Sequence, residues 1–202
     1  MVLDAHRGLA DRYLLPIANR MIDVDPDLLT WMAFGFAILA GVAFYFGGVL
    51  FLLAAMFCVF FNALFDALDG RIAKLAGKAS ARGDFLDHVL DRYADIFMLG
   101  GIAFGGRYCE PWIGVLAILG VLLASYMGTQ SQAVGVGRDY GGLLGRADRL
   151  VIIVVAAFLQ MIFILGSLNI RIIEWAMILF AVLGNFTAIQ RGVSTWRKLS
   201  RS

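Results

Sequence analysis

Four aspartates in this chain have the type and spacing to do chemistry together. Asp66 and Asp69 lie three residues apart, and Asp87 and Asp91 lie four apart. On helices, those steps put each pair on one face. Asp84 and Asp95 extend the second stripe at similar intervals. If the two helices pack together, the carboxylates converge. Converging carboxylates repel, and a divalent cation removes that conflict. Oxygen ligands without His or Cys suit Mg²⁺, Mn²⁺ or Ca²⁺ rather than Zn²⁺. Mg²⁺ in particular is held by a few carboxylates together with substrate phosphates, and two metals about 4 Å apart can clamp both sides of a phosphoryl displacement. The plainer alternative is that the aspartates are solvated, or paired with Arg71, Lys74, Arg82 and Arg92. Four at these spacings inside apolar segments argue against it, because intramembrane carboxylates are costly. Gly70, Ala73 and Gly83 add small residues beside the acids, where a flat group or a diphosphate could approach the backbone.

The elements that must hold these residues are membrane helices. The chain has 202 residues, 61% hydrophobic and only 16% charged, with a mean hydropathy of +0.82. That is too apolar for an ordinary soluble domain. A net charge of +2 gives no reason to expect nucleic acid. About 20 apolar residues are needed to cross the hydrocarbon core. Six segments qualify or nearly do: roughly 28–47, 49–68, 86–105, 111–135, 148–167 and 170–190. The expected fold is therefore an all-α integral membrane protein, one membrane domain over 1–202.

Residues 1–22 precede the first span. Leu9, Tyr13, Leu14, Ile17 and Met21 recur at helical steps, while Arg7, Asp11, Arg12 and Arg20 fall largely elsewhere, as in an amphipathic helix on the membrane surface. This charged segment has no long apolar core and does not read as a cleavable signal peptide. Lys and Arg concentrate in the N-terminal segment, in the loops after the second and fourth spans, and in the tail. The positive-inside bias places both termini and the acidic stretch in the cytoplasm. Cys58 and Cys109 form no metal or redox motif and read as buried free thiols.

The run Asp66-x-x-Asp69-Gly70-x-x-Ala73-Lys74, followed after eight residues by Gly83-x-x-x-Asp87-x-x-x-Asp91, resembles the signature of the CDP-alcohol phosphatidyltransferases. Lys74 departs from it, since that position is usually Arg; lysine keeps the charge but loses the planar fork. The resemblance implies a membrane enzyme, typically a homodimer, that joins a CDP-linked lipid donor to an alcohol acceptor and releases CMP. It implies that Asp66, Asp69, Asp87 and Asp91 ligate two Mg²⁺ or Mn²⁺ ions and that Asp91 is the general base. Asp66, Asp69, Gly70, Ala73, Lys74 and Gly83 would bind CDP.

A second basic set bears on the acceptor. Arg146 and Arg149 in GRADRL, and Arg191 in TAIQRG, should lie at one membrane level and could hold a phosphate. These stretches resemble the acceptor pocket of the phosphatidylinositol-phosphate (or archaetidylinositol-phosphate) synthase branch. That resemblance makes inositol 1-phosphate the leading acceptor, with glycerol 3-phosphate close behind. Gly128 departs from the branch, which commonly has a basic residue there, and Arg138 is one replacement. Asp148 is expected to orient Arg146 or Arg149. Asn62 and Ser80 could reach the nucleotide, though helix packing and a loop role serve them as well. His88 is expected to point away from the acidic stripe, and Asp139 to be a solvated loop charge. A cation or proton transporter is the alternative of a different class, as is a helper protein that kept the fold and lost the activity.

Overall fold

A computed structural model describes residues 7–137, 141–142 and 145–200, with side chains from residue 12 onward. The described residues form helices, most of them joined by short turns, with no strand among them. The helices are α1 (Arg7–Arg20), α2 (Pro26–Phe46), α3 (Val49–Leu75), α4 (Ala81–Phe104), α5 (Pro111–Ala133), α6 (Arg146–Leu165) and α7 (Ile172–Leu199). Short connections force antiparallel neighbours. The residues around 25, 70–90 and 145 therefore share one end of the bundle, and those around 47, 108 and 170 share the other.

Local sequence explains the starts and stops. Asp25 caps α2, its side chain accepting the Asp27 amide at 3.0 Å, and Pro26 occupies the first turn, where a missing N–H costs nothing. Gly47 and Gly48, both with positive φ, turn the chain between α2 and α3. Ser80 caps α4 by accepting the Gly83 amide at 3.1 Å.

Five helices, α2, α3, α5, α6 and α7, are long and apolar enough to cross a bilayer. The third expected span, α4, is long enough at 24 residues but is not among those five. Its first fifteen residues include Asp84, Asp87, Asp91, Arg92 and Asp95, and these lower its hydropathy. Packing keeps α4 beside α2 along its length. A Cβ on Gly101 would overlap the carbonyl oxygen of Gly41, and one on Gly105 would press on Tyr45. Glycine is required at that crossing because the two backbones touch.

One apolar core draws on α2 through α7, with Phe44, Leu52, Met98, Ile102, Val121, Met177 and Phe180 almost completely buried. The outward faces are also apolar: Leu50, Phe57, Phe60, Trp112, Val182 and Phe186 are all exposed. Apolar residues inside and out belong to a protein solvated by lipid. The chain is an integral membrane protein.

A smaller apolar cluster docks α1 on the bundle through Ala18, Leu29, Leu68 and Ile72, with Leu14 and Met21 beside it. Tyr13 and Ile17 remain exposed. The expected apolar face of the first helix is thus divided between protein and surroundings. Leu9 lies outside the residues whose side chains are described.

Candidate active site

The second apolar segment continues as helix well past its expected end at residue 68, reaching Leu75. The third begins at Ala81 rather than near 86. Those extra turns carry the charged residues beyond the apolar part without breaking the helices. They project from rigid elements and not from a loop.

The structure brings the four aspartates together. Carboxylate oxygens of Asp66, Asp69 and Asp87 all lie within 4.8 Å of one another. Asp91 joins them through Arg146, whose Nη1 is 2.5 Å from Asp66 Oδ1 and 2.6 Å from Asp91 Oδ1. Asp69 is 5% exposed, and its two oxygens are both engaged. The Gly70 amide donates to Oδ1 at 2.5 Å, and the Thr30 hydroxyl, reaching across from α2, donates to Oδ2 at 2.7 Å.

His88 stands nearer the cluster than the helical pattern implies. It could offer a ring nitrogen within 4.8 Å of oxygens on Asp87 and Asp91, and it lies 3.4 Å from Asp84 Oδ1. Its steps of four to Asp84 and three to Asp91 could have revealed this. Asp87 is therefore shared between two groups of possible ligands.

The donor chemistry fits hard divalent cations. A cation with ligands at about 2.1 Å holds opposite oxygens about 4.2 Å apart, so the observed cluster is close to ligation distance already. Carboxylates dominate the set, with the His88 ring nitrogen beside Asp87 and Asp91. The positive groups within it are the Arg146 guanidinium and, beside Asp91, that of Arg92 at 3.3 Å.

Next to the acids opens a cavity of about 300 Å³. The residues expected to bind CDP line it: Asp69, Gly70, Ala73, Lys74 and Gly83. A Cβ on Gly70 would meet nothing within 4 Å, so the missing side chain leaves open space at this wall. Asp66 lies next door, lining a much smaller gap with Asp91, Asn62 and Arg146. Asn62 donates to the Ala33 carbonyl at 2.9 Å, while its Oδ1 is buried without a partner. Ser80, the cap of α4, sits at the rim of the larger cavity.

The sequence reading missed the far wall. Asp25, Pro26, Asp27 and Thr30, at the start of α2, complete the cavity. The cap sequence Asp25-Pro26 announced a helix start, which points amide groups outward and attracts anions. Nothing in the spacing tied that start to residues some forty positions later.

The three candidate acceptor arginines are engaged separately. Arg146 bridges Asp66 and Asp91. Arg149 Nη2 donates to Asp95 Oδ2 at 2.9 Å, and both side chains are under 10% exposed. Arg191 holds the chain, donating to the carbonyls of Gly141 at 2.6 Å and Ala124 at 2.5 Å. Asp148 accepts the Gly145 amide at 2.9 Å and so fixes the first turn of α6, from which Arg146 and Arg149 both leave. Arg92 also donates to Ser125 on α5. Arg138 and Asp139 lie outside the described residues.

Known proteins share the sequence pattern and the fold of this chain. A family model described as CDP-alcohol phosphatidyltransferase matches residues 24–188. The chain is 31% identical over 198 residues to the archaetidylinositol phosphate synthase of Methanothermobacter thermautotrophicus, covering 98% of this chain and 96% of that one. Two crystal structures of the Mycobacterium tuberculosis phosphatidylinositol phosphate synthase superpose on it, each at 24% identity and a TM-score of 0.74. One, with CDP-DAG bound, covers 92% of this chain and 94% of that chain. The other, in complex with manganese and citrate, covers 90% and 88%. At that identity the superposition establishes the fold.

Proposed function

Because the chain belongs to the CDP-alcohol phosphatidyltransferase family, we propose that it transfers the phosphatidyl-type group of a CDP-linked lipid to inositol 1-phosphate, releasing CMP. The observation that carries the proposal is the meeting of Asp66, Asp69, Asp87 and Asp91 beside a cavity lined by Gly70, Ala73, Lys74 and Gly83. The name of the archaeal relative supports the phosphorylated acceptor.

Two divalent cations, Mg²⁺ or Mn²⁺, held by the four aspartates would neutralise the donor's diphosphate and the charge that builds on departing CMP. The remaining work falls to the chain itself. Gly70 and Gly83 let the nucleotide lie against α3 and α4, and Lys74 offers a positive charge to its diphosphate. The start of α2 closes the other side. Asp91 takes the proton from the acceptor hydroxyl. The hydroxyl oxygen attacks the lipid-bearing phosphorus, and the bond from that phosphorus to the bridging oxygen breaks. The bridging oxygen leaves on CMP with the electron pair. Thr30 holds Asp69 in place by its 2.7 Å hydrogen bond.

Positive-inside charge supports a cytoplasmic position for this end of the bundle and for both termini, with α4 counted as a sixth crossing. Lipid chains then stay in the bilayer while a water-soluble acceptor arrives from the cytoplasm. The family resemblance supports a homodimer of single-domain subunits spanning 1–202.

The test uses purified protein with CDP-diacylglycerol or its ether-linked isoprenoid counterpart, Mn²⁺ or Mg²⁺, and either inositol 1-phosphate or glycerol 3-phosphate. Products are identified by mass. CMP together with an inositol-phosphate lipid is expected. CMP formed only with glycerol 3-phosphate would move the acceptor assignment. No CMP with either would end the transferase reading.

A further inference from the structure

Arg146 occupies an unusual place. Its Nη1 stands 2.5 Å from Asp66 on α3 and 2.6 Å from Asp91 on α4, bridging carboxylates from two helices as a cation would. Its Nε is buried with no hydrogen-bond partner. A guanidinium settled for good in a buried ion pair would be expected to satisfy its donors. Arg149, one turn further along α6, shows the settled pattern with Asp95.

We propose that Arg146 is a resident counter-ion: it bridges Asp66 and Asp91 while no divalent cation is bound, is displaced as the cation loads, and then turns to the acceptor's phosphate. The proposal rests on the reading of these aspartates as metal ligands. Arg146 and a bridging cation compete for the same place between Asp66 Oδ1 and Asp91 Oδ1. A divalent ion between those two oxygens, about 2.1 Å from each, would crowd Nη1, and two cations so close repel. Arg146 is the first residue of α6, so it can swing by side-chain torsions without unwinding the helix. The displaced group keeps a free fork for a phosphate, its best partner. Without that partner, displacement leaves an unpaired guanidinium, which opposes metal loading. Metal and phosphorylated acceptor should therefore promote each other's binding, and by the same factor. An acceptor without a phosphate would not give this assistance.

The readout is Mn²⁺ binding, followed by loss of the electron paramagnetic resonance signal of the free aquo ion, with the full chain in nanodiscs and no donor lipid. Wild type and Arg146→Gln are titrated with and without inositol 1-phosphate, against protein-free blanks. Without the phosphate, Arg146→Gln should bind Mn²⁺ about tenfold more tightly than wild type. Inositol 1-phosphate should tighten Mn²⁺ binding to wild type by about fivefold or more, within the usual range for linked sites, and free inositol should not. In Arg146→Gln the phosphate effect should vanish. Equal or weaker Mn²⁺ binding by the variant overturns the proposal, as does an equal phosphate effect in both proteins, which would mean that phosphate acts directly on the metal. If the variant does not fold, the wild-type titration still decides: no phosphate effect there, or no Mn²⁺ binding under any condition, overturns the exchange. The linkage seen without CMP release from a CDP-lipid would sink the transferase reading and leave the exchange standing; CMP release without the linkage would do the reverse.

Discussion

At the end of the bundle formed by the α4–α5 and α6–α7 turns, opposite charges pair and polar groups find partners. Arg171 lies 2.8 Å from Glu110 and 3.4 Å from Glu174. Glu174 also accepts the Glu110 amide at 2.9 Å, Tyr108 accepts from Gly48, and Gln160 donates to the Ile170 carbonyl at 2.8 Å. At the opposite end, carboxylates face carboxylates. Asp66, Asp69, Asp87 and Asp91 crowd together with Arg146 between two of them, beside an open cavity. The first arrangement needs no ligand. The second is electrostatically incomplete, and it gains most from a cation and an anionic substrate. Structural polar groups close on themselves, whereas binding groups are left with something to bind.

The sharpest way to break this contrast is to remove one member of the acidic set. Asp91→Asn should lower CMP release by about a thousandfold or more, since it removes the proposed base and a metal ligand while keeping the shape. Retained helix content and thermal midpoint in detergent would show that the loss is chemical. Near-normal turnover by folded Asp91→Asn would remove the base assignment and with it the functional side of the comparison.

Asp95 tests whether charge at the acidic end can also be purely structural. It pairs with Arg149 where neither is exposed. Asp95→Ala strands a buried guanidinium, at a cost of about 3–5 kcal/mol. The measurement is unfolding in mixed micelles. The double change Asp95→Leu with Arg149→Met should recover most of that loss, because a packed apolar pair replaces the ion pair. If the double variant is also as inactive as Asp91→Asn despite restored stability, the pair belongs to the site after all.

The same comparison explains what the sequence revealed. The acidic pairs were legible because i, i+3 and i, i+4 steps report one helix face, and each pair lies within one helix. The apolar lengths located the five helices that are long and apolar enough to cross a bilayer, whereas α4 carries so many charges that its packing against α2, not its composition, keeps it beside the others. Thr30 was invisible: it lies 39 residues from the Asp69 it holds, and a lone threonine in an apolar run signals nothing. Arg146 was identified as a phosphate ligand from its place before a span. Its bridge to Asp66 crosses 80 residues and depends on how α6 sets against α3, which no periodicity encodes. Arg149 and Arg191 were grouped with it as arginines expected at one membrane level, yet each side chain found its own partner.

Helix crossings offer a smaller perturbation that leaves both ends chemically intact. Gly101→Ala inserts a methyl group against the Gly41 backbone, towards the C-terminal ends of α2 and α4. Overpacking of this kind costs about 1–3 kcal/mol. Because α2 and α4 both wall the cavity, a shift between them should weaken donor binding more than it slows turnover. A raised KM for the CDP-lipid with kcat nearly unchanged would show that the crossing sets the width of the site. An equal fall in kcat would mean that it also aligns the carboxylates.

Smallest of all should be any effect on function of chemistry at the closed end. Cys109 lies there, outside the spans, 2% exposed, with its thiol on the Glu110 carbonyl. Burial, and then the nearby Glu174 carboxylate, push the thiol up to about 11. Since only the thiolate is nucleophilic, at pH 8 on the order of one molecule in a thousand is reactive at this position. Alkylation by iodoacetamide in the folded protein should be slow, should quicken as pH rises towards 11, and should become fast on unfolding at any pH above about 9. Replacing Glu174 with Gln removes a negative neighbour, so the pH dependence should move to lower values while CMP release stays unchanged. Rapid labelling of folded protein at pH 8 would show that this end opens to solvent and reagent. The closed network would then be as unfinished as the acidic one, and the distinction between the two ends would have to rest on charge sign alone.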